Sequence, residues 1–391
     1  MSLGIRDVTD SDLTAIASIR ARSFGPLRTD EEQWWRNVTR DNVDGRMLAA
    51  VEGDTIVAAA RIHAYEQAWG GRHLPMGGIA GVYVEPSARG RGVASFLMRA
   101  VIPRMHELGD VVSTLYPTTA TLYRGVGYEV VGSQPRQTYA AHVVRDLRGG
   151  TGGPRPRLAQ PADADRLHEL MREHHVRHGL SGPKLRSVET WRRQLEDASM
   201  IHYVADDGFV AYSLADQVLT VEDLVAATPE TAAGLWAVVG SGSSAAPTVR
   251  TYLDPRDPVR LALAEVPQAE VAEHQWMLRL VDVAAAVAAR GFPVHVNATA
   301  SLSVTDPESP ACDGLWEISV ERGTGAATRL GLAAYATDDV VSVGPRGLAA
   351  MWSGWTMSRL RQAGLATGGT PDHDAALDAA FACSPFMTEY F

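Results

Sequence analysis

The chain has 391 residues, of which 46% are hydrophobic and 21% charged, and its formal net charge is −10. This composition is typical of a globular protein and excludes a disordered one, and the length suffices for two or three domains. The negative charge argues against a nucleic-acid partner and suits a cationic ligand. Lys184 is the only lysine among 36 basic residues, which we interpret as the composition bias of a GC-rich bacterial genome.

The cysteines and apolar runs bear on localisation. Cys312 and Cys383 are the only cysteines, too few for a disulfide framework, so we expect a reducing cytoplasm. The opening residues MSLGIRDVTDSD lack the apolar core of a signal peptide. No apolar run reaches the length of about 18 residues that predicts a membrane helix. The sequence therefore predicts a soluble, cytoplasmic protein.

The first elements predicted along the chain lie in IRDVTDSDLTAIASIR, residues 5–20, as a strand, a polar cap and an amphipathic helix. A later strand is predicted over residues 79–84, where β-branched and aromatic residues follow the flexible pair Gly77-Gly78. Pro86 cannot donate to a β-ladder and is expected to end this strand.

An apolar helix is predicted from Val93 to about Gly109, with a kink at Pro103. The segment Arg89-Gly90-Arg91-Gly92 lies between the predicted strand and this helix. Glycines admit a ligand close to backbone N–H groups, and a helix N-terminus carries about half a positive charge. The arrangement predicts a pyrophosphate-binding loop in which both arginines add charge-assisted hydrogen bonds. The alternative is a surface turn that contains glycine and arginine by chance.

Residues 82–94, VYVEPSARGRGVA, resemble the acyl-coenzyme A signature of the GCN5-related N-acetyltransferases, with Arg89, Gly92 and Ala94 at the signature positions. A Walker loop would continue with Gly-Lys-Ser/Thr, and a Rossmann fingerprint has no Pro-x-x-Arg entry. The resemblance implies acetyl-coenzyme A as the co-substrate and no metal. It also implies a set of cofactor-binding residues, namely Val82, Val84, Arg89, Gly90, Arg91, Gly92, Val93, Ala94 and Thr118.

The same resemblance extends beyond a strand predicted at residues 111–116. In TATLYRGVGYEVVG, residues 119–132, Tyr123 stands where these enzymes place a tyrosine facing the thioester sulfur, beside two strands that splay. A phenol of pKa about 10 can protonate a leaving thiolate of pKa about 8.5. The resemblance also assigns the backbone N–H of Val84 to the thioester carbonyl as an oxyanion contact. The alternative for Tyr123 is a packed aromatic side chain.

The remaining chain contains an internal repeat. RGGTGGPRPR, residues 148–157, is interpreted as a linker, and PRLAQPADADRLHELM after it repeats the strand, cap and helix of residues 5–20. Residues 219–239, LTVEDLVAATPETAAGLWAVV, have a strand and a helix but no Arg-Gly loop, which indicates a second copy without a cofactor site. From about residue 285 the sequence alternates as antiparallel strands do, with short helices after them.

An acetyltransferase fold, a silent second copy and a sterol-carrier-like domain, in this order, resemble the enhanced intracellular survival family of aminoglycoside N-acetyltransferases. MLRLVDVAAAVAARGF at residues 277–292 and LTVEDLVA at residues 219–226 are similar to hallmarks of that family. The expected fold class is α/β (α+β), with domains at residues 1–147, 155–284 and 285–391. The resemblance implies a homo-hexamer that acetylates several amines of one polycationic substrate.

Two carboxylates are candidates for the catalytic base. Glu85 follows Val84 directly, although it is equally interpreted as a solvent-facing residue at a strand end. The final residues, SPFMTEYF, are apolar enough to dock, whereas termini are usually frayed. In the resembling family the C-terminal carboxylate reaches the N-terminal domain and acts as the base, which assigns this role to Phe391. Its ordinary pKa of about 3.5 matches an ammonium poorly, so burial must raise it or water must mediate; an ordered water is a further alternative for the base.

The resemblance also implies an acceptor pocket, formed by Ser23, Phe24, Trp34 and Trp35, and Glu389 is a candidate to pair with a substrate ammonium if the tail docks. The two tryptophans are alternatively core residues, and Glu389 is alternatively a solvated carboxylate. His174 and His178 form an i,i+4 pair next to His175, but no further ligands complete a metal site, and we expect none. GSGSS at residues 240–244 is more typical of a linker turn than of a nucleophile.

Two classes of function remain open. The first is an N-acetyltransferase acting on polyamine-like substrates such as aminoglycosides, with protein lysine acetylation as the alternative within that class. The second is a lipid-binding or scaffolding protein whose acetyltransferase site is vestigial. The intact signature at residues 89–94 and Tyr123 favour the enzyme, because a silent copy is expected to look like residues 219–239.

Overall fold

The structure, a computed structural model, describes residues 3–25, 45–145, 155–263, 270–332 and 339–391. Trp34 and Trp35, two of the predicted acceptor-site residues, lie outside the described residues. The first part of the chain contains β1 (Leu3–Asp7), α1 (Leu13–Phe24), β2 (Met47–Glu52), β3 (Thr55–Trp69), β4 (Arg72–Val84), α2 (Val93–Glu107), β5 (Val112–Leu115), α3 (Ala120–Arg124), β6 (Glu129–Ala140) and α4 (Ala141–Arg145).

Strand β4 is longer than the sequence predicts. It begins at Arg72, and Gly77 and Gly78 lie buried inside it, paired with Ala64 and His63 of β3. The prediction of a flexible glycine pair before the strand is therefore wrong. A Cβ on Gly77 would come within 2.7 Å of the Met105 sulfur, so the glycine marks a close approach between strand and helix rather than a hinge.

Strands β4 and β5 part after three residues of parallel pairing. The last paired residues are Gly78 and Thr114, and β4 continues to Val84 without β5 beside it. A β-bulge adds to the divergence, because Gly81 and Val82 both stand opposite Ala60, and Gly81 has a φ of 63°. A cleft therefore opens between the two strands at Gly78.

The second part of the chain repeats much of this order. It contains β7 (Arg157–Leu158), α5 (Ala164–Arg177), β8 (Lys184–Leu185), α6 (Val188–Glu196), β9 (Ile201–Ala205), β10 (Gly208–Ala215), β11 (Val218–Ala226), α7 (Pro229–Ser241), β12 (Thr248–Thr251), α8 (Val259–Ala262) and β13 (Glu270–Leu280).

The two parts exchange strands and form one continuous sheet. Its order is β1-β2-β3-β4-β5-β13-β6-β12-β11-β10-β9-β7, and β8 pairs with β3. β13 lies between β5 and β6, antiparallel to both, and its residues Trp276, Met277 and Leu278 are fully buried. Segment 155–284 therefore supplies a strand to the sheet of the first part, which in turn supplies β6 to β12.

The third part packs a second sheet against helices. It contains α9 (Val283–Ala289), β14 (Ala298–Val304), β15 (Gly314–Glu321), β16 (Thr324–Gly331), β17 (Val341–Val343), α10 (Pro345–Trp352), α11 (Met357–Gln362), β18 (Ala366–Thr367) and α12 (Pro371–Phe381). The sheet order is β16-β15-β14-β17-β18, antiparallel except for the β14–β17 pair.

Ion pairs with buried carboxylates connect the third part to the first sheet. Arg279 on β13 donates from Nη2 to both oxygens of Asp306, at 2.7 and 2.8 Å, with both side chains almost fully buried. Glu129 at the start of β6 accepts from Arg124 and from Arg346 of α10. Because burying a charge is costly without a partner, these pairs hold a specific docking geometry. Within the described residues, none of the helices has the length and apolar character needed to cross a bilayer.

Candidate active site

The loop between β4 and α2 is built to approach an anion. Gly90 and Gly92 have φ angles of 74° and 79°, and a Cβ on either would meet nothing within 4 Å. Gly92 caps α2, and no side chain within the described residues caps its first N–H groups. Val93 and Ala94 follow in the first turn of the helix. The helix N-terminus therefore faces the open space left by Gly90 and Gly92.

The two arginines of this loop differ in their surroundings. Arg91 forms an ion pair with Glu52 of β2 at an exposed position. Arg89 is exposed, and its side chain makes no hydrogen bond or ion pair within the described residues, so its guanidinium is available to a ligand. Thr118 is also exposed, in the turn between β5 and α3.

The edge of β4 presents backbone groups to the cleft. The N–H of Glu85 donates to Val57 O of β3 at 2.9 Å, and Val84 pairs opposite Ala58. Because successive ladder groups alternate in direction, the N–H of Val84 points away from β3, toward the open edge. The carbonyl of Val84 accepts a hydrogen bond of 3.0 Å from Ser23 Oγ at the end of α1. Val82 lies at the bulge on the same unpaired stretch.

A further predicted residue, Phe24, also lies at the end of α1 near this edge. The ring of Phe24 meets Tyr83 edge-on at 5.8 Å between centroids, and its side chain is 53% exposed. Arg22 on the same helix binds both oxygens of Glu85, with Nε at 3.2 and 3.1 Å. The alternative base Glu85 is therefore held in an ion pair at the strand end.

Tyr123 is buried in the short helix α3, with only 8% of its surface exposed. Burial, together with the nearby Tyr390, raises the pKa of Tyr123 to about 12, so its hydroxyl is protonated at neutral pH and is a weaker acid than free tyrosine. Its carbonyl accepts from the N–H of Tyr128 at 3.0 Å. The hydroxyl of Tyr128 bonds to Ser113 at 2.7 Å, and Ser113 donates to the carbonyl of Gly77 where β4 and β5 still pair.

The final residues of the sequence dock across all three parts. Their main-chain groups bond to β6, to the loop before β8 and to the residue after β5. These bonds are Phe386 N to Ser181 O at 3.1 Å, Met387 N to Ser133 O at 3.1 Å, Gln134 Nε2 to Thr388 O at 2.9 Å and Tyr116 Oη to Glu389 O at 3.1 Å. The tail is therefore held by backbone hydrogen bonds rather than by apolar contact alone.

The ring of Phe391 lies at the apex of the cleft. It meets Tyr65 at 5.2 Å and Tyr116 at 5.6 Å between centroids, and the ammonium of Lys184 is 4.4 Å from its centroid. The structure thus brings Phe391 to the place where β4 and β5 part.

Glu389 also docks, but its carboxylate faces groups of the chain itself. It lies 3.4 Å from Lys184 Nζ and 3.5 Å from Arg186 Nε. Burial alone would raise the pKa of Glu389, but the positive charges of Arg186 and Lys184 outweigh it and lower that pKa below its usual range. The ammonium that pairs with Glu389 in this structure is therefore that of Lys184.

A cavity of about 530 Å³ lies between the tail, β6 and the strands of the second part. The carboxylates of Glu222, Asp223 and Glu389 line it, against the single guanidinium of Arg186. Burial, followed by the neighbouring Asp223, raises the pKa of Glu222 to about 7. Arg186 and the neighbouring Lys184 offset the charges of Asp223 and Glu389, so the site gains net negative charge as Glu222 ionises, which suits a cationic ligand.

The sequence did not point to three of the residues that surround Phe391. Tyr116 stands at the end of a predicted strand, and Tyr65 lies in a strand without a motif. Lys184 is conspicuous in the sequence because it is the only lysine in the chain, but the composition bias accounts for that without any functional role.

The second part lacks the anion-binding features of the first. β11 and β12 also pair in parallel and part after Val221 and Thr251. Here the helix N-terminus is satisfied internally, because Thr228 Oγ1 accepts from the N–H of Thr231 at 3.3 Å and donates to Asp207 at 2.9 Å. Glu230 in the first turn adds negative charge. A phosphate would therefore meet carboxylates rather than free N–H groups.

Two of the histidines noted in the sequence lie close together at the C-terminal end of α5. The rings of His174 and His178 lie 4.6 Å apart there, with His178 directly after the helix. In the part of the chain that the structure describes, no group of three or more His, Cys, Asp or Glu side chains is placed to hold a metal ion.

Comparisons with known proteins match this geometry along the whole chain. Residues 4–131 and 182–280 each match an acetyltransferase (GNAT) domain, and residues 283–388 match a sterol carrier protein domain. The crystal structure of a GCN5-related N-acetyltransferase from Kribbella flavida is 43% identical, with a TM-score of 0.94, and the match covers 100% of this chain and 98% of that one.

Two curated relatives narrow the family. An uncharacterized N-acetyltransferase of Streptomyces griseus is 26% identical over 339 residues, 76% of this chain and 79% of the relative. N-acetyltransferase Eis of Mycobacterium tuberculosis is 26% identical over 246 residues, 57% of this chain and 60% of the relative. The chain belongs to the Eis-like family of GCN5-related N-acetyltransferases. The fold class and the family predicted from the sequence are confirmed.

The chain is therefore an N-acetyltransferase, and its GNAT domains imply acetyl-coenzyme A as the co-substrate. The residues of the first cleft fit this molecule. Gly90 and Gly92 leave open the space beside the N-terminus of α2 for a pyrophosphate, Arg89 is available to it, and the splayed edge at Val84 leaves room for the extended thioester arm. The second cleft does not fit acetyl-coenzyme A, because Thr228 already caps the N-terminus of α7 and Glu230 adds negative charge there.

Proposed function

We propose that the Eis-like acetyltransferase transfers the acetyl group of acetyl-coenzyme A to primary amines of polycationic small molecules, aminoglycosides and polyamines among them. In this proposal residues 89–94 hold the pyrophosphate, the N–H of Val84 stabilises the oxyanion, Tyr123 protonates the leaving thiolate and the Phe391 carboxylate accepts a proton from the amine. Ser23, Phe24 and Glu389 border the acceptor.

The docking of Phe391 at the apex of the cleft carries the proposal. The ring lies against Gly78, the last residue of β4 that pairs with β5, and Tyr116 and Tyr65 hold it from two sides. A residue whose own α-carboxylate is the proposed base must be held rigidly, because proton transfer requires hydrogen-bonding distance. The backbone bonds of residues 386–389 supply that rigidity.

Charge supports the choice of acceptor. The cavity beside the tail is lined by three carboxylates and one guanidinium, with the Lys184 ammonium against one of the carboxylates, and the whole chain carries a formal charge of −10. A polycation with several amines gains from such a field at each amine, whereas a neutral or anionic acceptor does not. This is the observation that favours polyamines and aminoglycosides over monoamines.

The test is a thiol-release assay across aminoglycosides, linear polyamines and lysine peptides, with acetylated products identified by mass spectrometry. We expect kcat/KM to be highest for the polycationic small molecules and more than one acetyl group per molecule. A clear preference for lysine peptides would instead support the alternative of protein acetylation. No turnover of any amine would support the lipid-binding or scaffolding alternative, in which the sterol-carrier-like part carries the function.

The homo-hexamer implied by the resemblance and the cytoplasmic location indicated by the cysteine count and the N-terminal sequence stay predictions. Light scattering coupled to gel filtration tests the first, and fractionation of the producing cells tests the second.

A further inference from the structure

The only lysine of the chain, Lys184, is buried beside the ring of Phe391. Lys184 is on the two-residue strand β8, which pairs with β3 at Gln67 and Glu66 and so brings the second part of the chain to the first cleft. Its side chain is only 5% exposed. The buried position means that its ammonium must find its partners inside the protein.

Those partners are two aromatic rings and one carboxylate. The Lys184 ammonium lies 3.9 Å from the ring centroid of Tyr65 and 4.4 Å from that of Phe391. It also lies 3.4 Å from Glu389 Oε2. A desolvated cation is attracted more strongly to aromatic faces than an exposed one, so these contacts can fix the orientation of a ring.

We propose that Lys184 is a positioning residue that sets the place of Phe391, and thereby of the carboxylate that serves as the base. Two of its contacts are to the tail, one to each of Glu389 and Phe391, and the third is to Tyr65, whose ring meets Phe391 at 5.2 Å. The inference rests on the proposed role of the Phe391 carboxylate and adds to it the group that holds that carboxylate in place.

The chemistry of the position explains a lysine in a chain that otherwise uses arginine. An ammonium is a compact point charge, whereas a guanidinium is a broad plane that needs several acceptors in its own plane. The guanidinium of Arg186, two residues away, is bound by Asp223 and Glu389, and it lies over Trp191 rather than over Phe391. Lys184 is thus the residue whose charge meets the ring of the last residue.

The surroundings of Lys184 act on its pKa in opposite directions. Burial, the largest influence, lowers the pKa of Lys184, and Arg186 lowers it further, while Glu389 opposes both. The charged groups that face Lys184 are therefore Glu389 and Arg186. Removing the ammonium leaves Glu389 with only Arg186 and leaves the Phe391 ring without its cation.

Lys184→Met removes the charge at nearly constant length, and Lys184→Arg restores a charge with a different shape. We expect the Met variant to bind acetyl-coenzyme A as tightly as the parent protein, because the pyrophosphate loop is formed by residues 89–94. We expect its kcat to fall by roughly 10- to 100-fold, the scale of a misplaced catalytic group. The Arg variant is expected to recover part of that loss.

Arg46→Met is the matched control for loss of a buried cation. Arg46 is 11% exposed and pairs with Asp110 at 2.9 Å, with no contact to the tail. We expect it to lower the melting temperature while leaving kcat within a few-fold of the parent value. An equal loss of kcat in Arg46→Met would assign the effect of Lys184→Met to general destabilisation and overturn the proposal.

A double-mutant cycle with a C-terminal peptide extension, which converts the Phe391 carboxylate to an amide, separates the possible outcomes. If Lys184 acts through that carboxylate, Lys184→Met in the extended protein causes no further loss of the residual rate. A full additional loss would show that Lys184 acts independently of the tail and overturn the inference. If the extension abolishes turnover but Lys184→Met does not lower it, the inference fails and the proposed base survives. If the extension alone leaves turnover intact, the proposed base itself fails, and with it the positioning role.

Discussion

Phe391 lies directly against Gly78, so that a Cβ built on Gly78 would come within 2.9 Å of Phe391 Cε2. Gly78 and Thr114 are the last paired residues of β4 and β5. The last residue of the sequence therefore reaches the point where the cleft of the first part opens, more than 300 positions away along the chain. A glycine is required there because the backbone of β4 and two aromatic rings meet without space for a methyl group.

Gly78→Ala is expected to displace the tail. The added methyl group would also lie 2.7 Å from the ring of Tyr65, and two ring contacts at this distance cannot both be kept. We expect acetyl-coenzyme A affinity to be retained, turnover to fall at least about 10-fold, and carboxypeptidase to remove Phe391 faster. Gly331→Ala is the control, since Gly331 is also a strand glycine but has nothing within 4 Å of an added Cβ. Unchanged turnover and tail protection would contradict the proposed docking.

A C-terminal affinity tag tests the carboxylate of Phe391 without removing its ring. The tag converts the carboxylate into an amide, which cannot accept the proton of an ammonium. Titration calorimetry is expected to give the same acetyl-coenzyme A affinity for this protein and for an N-terminally tagged one. Steady-state assays are expected to show that only the C-terminal tag removes most acetyl transfer. If both tagged proteins, confirmed intact, turn over equally, the base is another group.

Gly92→Val tests the pyrophosphate loop. The φ of 79° strains a β-branched residue, and its side chain would project into the space beside the N-terminus of α2. Gly109→Val is matched, because Gly109 has a φ of 81°, also lies next to α2 and is also open. We expect similar losses of melting temperature, but an acetyl-coenzyme A affinity reduced about 10- to 100-fold only for Gly92→Val. Equal affinities in the two variants would remove the loop from the cofactor site.

Tyr123→Phe removes one hydroxyl from the proposed general acid. Acetyl-coenzyme A is expected to bind normally while kcat falls about 100-fold or more. Tyr128→Phe is the comparison, since its hydroxyl bonds to Ser113 and stabilises the strand pair instead. It is expected to cost about 1 kcal/mol of unfolding free energy with little change in kcat. A Tyr123→Phe enzyme that keeps its rate within a few-fold would assign the proton to another donor.

Glu222 is expected to make acceptor binding depend on pH near neutrality. Its pKa of about 7 lies above its ordinary value of 4.5, so the carboxylate is largely protonated at pH 6 and ionised at pH 8. The KM for a polycationic acceptor should therefore fall as pH rises through 7, because negative charge appears in the cavity. Glu222→Gln should flatten this dependence between pH 6 and 8, measured with an acceptor whose own charge is constant in that range.

The same shift makes a prediction for stability. The pKa of Glu222 is higher in the folded protein than in the unfolded one, so the folded protein binds this proton more tightly. The stabilisation that results is fully present below pH 4.5 and is lost as pH rises through 7. The rise from 4.5 to about 7 corresponds to at most about 3 kcal/mol. Thermal melts of Glu222→Gln should fall less steeply between pH 5 and 8 than those of the parent protein.

The sequence alone determined the family, the fold class and the N-acetyltransferase activity. All three were predicted through a resemblance to a known family. The features that carry it are local: the spacing of Arg89, Gly92 and Ala94 after a strand, and the order of two similar segments and a third with another pattern. A local motif predicts local geometry well, because a glycine-rich turn and the helix that follows it need few partners from elsewhere in the chain.

Tertiary structure decided how the parts meet. Strand β13 is predictable as a strand, but its place between β5 and β6 depends on which edges are free after the other strands have paired, and no periodicity encodes that choice. The same holds for Lys184 and Phe391, which are 207 positions apart and meet only because β8 pairs with β3 and the tail bonds to β6. A contact between distant segments depends on all the strand pairings that place those segments. A local sequence pattern does not encode these pairings, so the contact is known only from the folded chain.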